Sequence, residues 1–143
     1  MLRYNIDTTD YDVKIAFFNS GMENVAPQIN SSSADIIEKN LIKNTPVKTG
    51  VLRGSIIKQV EKTSAVVMTT AGYGKFVDQD TKPHRIFGRP FLRFVINGTV
   101  FFRRFVDHPG TKGQQFKAKT VNESRDEINN SIVKIYKELT GSR

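Results

Sequence analysis

Between Pro90 and Val106 the chain reads PFLRFVI, then Asn97-Gly98, then TVFFRRFV, and no other stretch restricts the fold so tightly. Asn-Gly supplies positive φ at both central positions of a type I′ turn, the two-residue link whose twist suits paired strands. The flanking runs are rich in β-branched and aromatic residues, so the segment predicts a long antiparallel hairpin from about Pro90 to Val106. Its apolar residues do not keep to one side. The spacing lets Phe91, Val95, Phe101 and Phe105 share one face, with Leu92, Phe94, Ile96, Val100, Phe102 and Val106 on the other. A ribbon apolar on both faces leaves neither in water, so either the chain's own helices cover the second face or another subunit does.

Charge gathers on the same segment. From Lys82 to Lys119 there are nine basic residues (Lys82, Arg85, Arg89, Arg93, Arg103, Arg104, Lys112, Lys117, Lys119) against one acid, Asp107, so the net charge of +8 lies wholly there. A local basic field attracts nucleic acid or an acidic protein surface, although a solvated basic face also serves solubility. Arg93, Arg103 and Arg104 interleave with phenylalanines, which suits the rim of a protein interface or a surface touching nucleic acid. The 143 residues suffice for one compact core, and a single domain over 1–143 is expected. Cysteine is absent, which excludes disulfides and thiolate metal sites. The N-terminal MLRYNIDTTD has no apolar leader pattern, and no apolar run is long enough to suggest a membrane span.

Elsewhere the periodicity alternates between two and 3.6. YDVKIAFF places Tyr11, Val13, Ile15 and Phe17 at period two, with Leu2 to Asp7 as a hairpin partner. Val25, Ile29, Ile36, Ile37 and Leu41 follow helical spacing, predicting an amphipathic helix from about Met22 to Asn44 with Pro27 in or at its first turn. Asn44-Thr45-Pro46 ends it. Ile56 to Glu61 and Ala65 to Thr70 read as a second hairpin around Lys62-Thr63-Ser64, and Lys75 to Val77 as a further short strand. Asp107 to Gln115 is a loop, and Val121, Ile128, Ile132, Ile135 and Leu139 mark a second amphipathic helix over about Thr120 to Leu139, stopped by Gly141. The expected fold is α+β: a mostly antiparallel sheet with a long β-hairpin, flanked by two amphipathic helices.

Fragments of catalytic motifs do not assemble into a site. Lys48-Thr49-Gly50 and Ser55-Ile56-Ile57-Lys58 resemble pieces of penicillin-recognising enzymes, but their order is reversed and only a few residues separate them. Gly50 to Gly54 lacks the lysine of a phosphate loop, and Gly72-Tyr73-Gly74 lacks a third glycine. His84 and His108 each have acids nearby, yet no spacing fixes two metal ligands on one element. No catalytic, cofactor or metal residue is expected, and a small hydrolase built on His84 or His108 is the weakest alternative.

Three segments resemble a known family. Thr45 to Ile56, TPVKTGVLRGSI, is similar to the P-V-x-T-G-x-L-R-x-S-I segment that follows the first helix in head-tail joining, or tail-completion, proteins of long-tailed phages. Tyr73-Gly74-Lys75-Phe76-Val77 resembles their Tyr-aromatic-Val segment, and His108-Pro109-Gly110-Thr111 through Phe116 their H-P-G-T loop before the last helix. The chain departs from that pattern in its N-terminal strands and in the longer, phenylalanine-rich segment Ile86 to Val106. The resemblance implies a non-enzymatic virion protein, made in the host cytoplasm, that forms a hexameric ring at the neck. Its partners there would be connector or adaptor and tail-tube or tail-terminator proteins, with packaged DNA as a further contact and no membrane. Arg53, Phe91, Arg93, Phe101, Phe102, Arg103, Arg104, Phe105, His108 and Lys112 are the expected interface residues. A basic nucleic-acid-binding protein is the alternative.

Overall fold

The computed structural model describes residues 4–7, 13–17 and 25–141. In chain order these form β1 (Tyr4–Asp7), β2 (Val13–Phe17), α1 (Ala26–Asn44), α2 (Val51–Gly54), β3 (Ile56–Val60), β4 (Ser64–Thr69), α3 (Gly74–Asp78), β5 (His84–Ile96), β6 (Thr99–His108) and α4 (Phe116–Thr140). The fold is α+β, as the periodicity predicts. Its contacts divide into two compact units, residues 1–75 with 115–143, and residues 76–114.

In the larger unit the four strands make an antiparallel sheet in the order β1-β2-β4-β3. Alternation along β4 buries Ala65 and Val67, and α1 packs on β2, β3 and β4. Ile29, Ala34, Ile37 and Leu41 of α1 are buried. Pro27 stands in the first turn, where its missing N–H is harmless, so α1 begins later than Met22. At the other end Thr45 turns extended (φ −68°, ψ 125°) ahead of Pro46, while its amide and its hydroxyl both bond the Leu41 carbonyl.

The second long helix makes its main contact with α1. Their seam is polar as well as apolar: the Asn44 amide donates to Thr120 Oγ1 and Glu123 Oε2, Asn40 donates to Ser124 Oγ, and the Ser32 and Ser131 hydroxyls meet at 2.6 Å. These pairings run in opposite chain directions, so α1 and α4 are antiparallel. Ile128 and Ile132 supply the apolar part of the seam on α4. α4 starts earlier than the expected Thr120. Phe116, 3% exposed, anchors its first turn in the core, whereas the polar Lys117-Ala118-Lys119 that follows hides this turn from a periodicity test.

The expected strand at Lys75 to Val77 is instead the short helix α3. Three residues without a neighbouring strand leave their amides unpaired, and a single helical turn satisfies such groups locally. The turn before it closes through the Gly74 amide and the Ala71 carbonyl.

Candidate assembly surface

The 76–114 unit is built on one hairpin. Asn97 (φ 50°) and Gly98 (φ 82°) form its turn, and Ile96 faces Thr99 across the two-residue link. The ribbon extends beyond the expected Pro90 to Val106 at both ends, down to His84 paired with His108. Pro90 is accommodated by a bulge. Between the Phe87–Phe105 and Leu92–Arg103 pairs, Gly88, Arg89, Pro90 and Phe91 stand opposite Arg104 alone. The backbone folds back on itself there: a Cβ on Gly88 would lie 2.3 Å from the Leu92 amide nitrogen, a contact only glycine allows. The Arg89–Pro90 peptide is cis.

Register corrects the expected faces. Phe94 is opposite Phe101 with rings stacked at 5.8 Å, and Val95 is opposite Val100, so Phe101 does not share a face with Val95. One face carries Phe87, Phe105, Leu92, Phe94, Phe101, Ile96 and Arg103; the other carries Ile86, Val106, Val95, Val100, Phe102, Arg93 and the two histidines. The two-residue turn forces this assignment, because pairing 96 with 99 fixes every rung above the bulge.

Neither face is covered. Phe87 is 68% exposed, Phe102 60%, Val95 55% and Phe91 52%, and no residue of β5 or β6 is buried. Its charge is also largely uncompensated. The Arg85 guanidinium pairs with Asp107 through two hydrogen bonds and lies 4.2 Å from the Phe105 ring centre. This hydrogen bond from Arg85 holds the Asp107 carboxyl below its ordinary value. Arg89, Arg93, Arg103 and Arg104 are exposed and form no ion pair among the described residues; Arg104 lies 5.9 Å from the Phe91 ring.

The H-P-G-T-K-G loop ties off the base of the ribbon. Thr81 and Thr111 bond in bridge fashion, the Gly113 amide donates to Asp80 Oδ1, and the Gln114 amide donates to the Val77 carbonyl. A Cβ on Gly110 would fall 2.2 Å from the Thr81 carbonyl oxygen, and one on Gly113 2.3 Å from that of Asp78, so the glycines let two backbones touch. The imidazoles of His84 and His108 lie 5.1 Å apart. His84 Nδ1 donates to the Lys82 carbonyl, and His108 Nδ1 accepts the Gly110 amide. Both are thus engaged in the fold of the loop. Lys112 is exposed on it.

Phe91, Arg93, Phe101, Phe102, Arg103, Arg104, Phe105, His108 and Lys112 all fall in this unit, and Arg53 in the other. Arg53 donates through Nη2 to the Thr45 carbonyl at 3.1 Å and so binds α2 to the end of α1. Leu52 beside it is buried, Gly50 takes the left-handed conformation (φ 83°) that starts α2, and Ser55 bonds the Leu52 carbonyl. The T-P-V-K-T-G segment is thus a helix stop, a left-handed turn and a core anchor. Phe87 and Ile86 escaped the expected site because Gly88 and Pro90 read as a strand boundary, though the Arg-Ile-Phe alternation before them was a usable signal.

Among the described residues no three histidine and acidic groups gather as a metal site, and no helix is long and apolar enough to cross a membrane. Fold and surface define a small α+β protein bearing an uncovered aromatic, basic ribbon. Over residues 25–79 the chain matches the HK97-gp10-like family model, described as "Bacteriophage HK97-gp10, putative tail-component". The match spans fewer than half of the 143 residues, from α1 through α3, and stops short of the ribbon. Over that stretch the chain is similar to a family described as a phage tail component. Neither the curated proteins nor the solved structures searched gave a match.

Proposed function

We propose that the protein is a head-tail joining subunit, assembling as a hexameric ring between the capsid connector and the tail tube. One observation carries this reading. The longest strands of the chain expose large apolar side chains on both faces, the kind of surface that marks a site of contact with another protein. The family match over residues 25–79 supports a tail component, and the ribbon supplies what such a component needs, an apolar centre with an arginine rim. Phe91, Phe101, Phe102 and Phe105 are the apolar anchors; Arg93, Arg103, Arg104 and Lys112 face acidic protein or packaged DNA. Arg53 and His108 act by holding the turn and the loop in shape.

Electron microscopy of lysates tests it. Phage carrying Phe101→Asp should yield filled heads and separate tails, and gold-labelled antibody against this chain should mark the neck of wild-type virions. Normal virions from Phe101→Asp, or label elsewhere than the neck, would overturn the reading. A second reading rests on the four unpaired arginines: a nucleic-acid-binding protein using them with the exposed phenylalanines as a phosphate and stacking platform. Binding to short DNA that weakens steeply with salt would favour it.

A further inference from the structure

The ribbon has edges as well as faces, and the two edges differ along their length. Near its base the β5 edge is broken by the Gly88–Phe91 bulge, which denies a neighbouring strand regular partners. Above the bulge both edges are regular: Leu92 to Ile96 on β5 and Thr99 to Arg103 on β6 pair without interruption or proline. A type I′ link closes on a hydrogen-bonded pair, here Ile96 and Thr99, and such pairs alternate with non-bonded ones. The backbone groups of Val95 and Arg93 on one edge, and of Val100 and Phe102 on the other, therefore point outward. Two open edges on a two-stranded ribbon invite further strands.

We propose that the distal half of the ribbon is a strand-addition site for a second copy of this chain, with the β6 edge of one subunit pairing antiparallel to the β5 edge of the next. This inference rests on the reading of the ribbon as an assembly surface and specifies its bonding. The rungs argue for the occupant. Repeating the intrachain register between copies places Phe94 beside Phe101, Val95 beside Val100, and Arg93 beside Phe102 at every junction, each combination already tolerated within the hairpin. Over the distal rungs, Leu92 to Ile96 against Thr99 to Arg103, no arginine then meets another across a junction. A two-residue slip toward the base would set Arg104 directly against Arg93, so like charge disfavours that register. Because one edge meets a different edge, the contact is head-to-tail and generates a ring when the rotation closes.

Hydrogen exchange and sedimentation velocity of the full-length protein test the proposal. Dilution into the monomer range should release the Val100 and Phe102 amides to exchange, and concentration into the assembled range should protect them. Val100→Pro removes an outward N–H without deleting an internal rung bond, and it should abolish the assembled species while Val100→Thr retains it. Circular dichroism of the proline variant establishes that it is folded; if it is not, the exchange result on the unmodified chain decides. Assembly with Val100 and Phe102 still exchanging freely, or a folded Val100→Pro that assembles like wild type, would overturn strand addition while leaving a face-mediated ring standing. A chain monomeric at every concentration would overturn both.

Discussion

Asn40 sits 2% exposed in the seam between α1 and α4, its amide shared between Ser124 Oγ at 2.9 Å and Glu127 Oε1 at 3.3 Å. A buried hydrogen-bond group is more consequential when lost than when gained, because its partner stays desolvated and unpaired. Asn40→Ala should lower unfolding stability by about 1–3 kcal/mol, read from the midpoint of a urea titration; an unchanged midpoint would mean that the Asn40 amide adds nothing to the seam. Residues of this type are poorly legible in a sequence. Asn40, Ser124 and Thr120 look like surface polar groups, and only the antiparallel approach of two helices turns them inward. Ile37 and Ile128 are easier to read, since helical apolar spacing alone selects them for the core.

At the scale of elements, the hairpin turn is the best-specified feature of the chain, because Asn97-Gly98 is chemically suited to one geometry. Its extent was less legible: Gly88 and Pro90 normally end strands, and here they form a bulge inside one. The faces follow from the link instead: closing it on Ile96 and Thr99 puts Phe101 on the side of Phe94 and away from Val95. At the base of the ribbon Arg85 and Asp107 give a pH signature. The carboxyl of Asp107 is held below its ordinary value of 3.8, first by the hydrogen bond from Arg85. Its contribution to hairpin stability is thus fully present above that ordinary value and is lost as pH falls through the depressed one. Amide protection along His84 to Phe87, taken relative to the intrinsic exchange rate at each pH, should fall across that acid window in the wild type and stay flat in Asp107→Asn. An equal slope in both would assign the effect to other carboxylates.

For the whole molecule, the division of labour follows the chemistry of the two units. The larger one buries its apolar residues in a sheet and helix seam, contains the stretch similar to the phage tail family, and accounts for most of what periodicity could reveal. The smaller one leaves its apolar residues outside, where a single chain gives no reason for them. The most direct test is sedimentation of the purified full-length protein with a short DNA duplex at low and high salt. The account predicts a discrete assembled species that forms without DNA and survives high salt, as burial of apolar faces requires. A monomer that sediments with DNA only at low salt would contradict it.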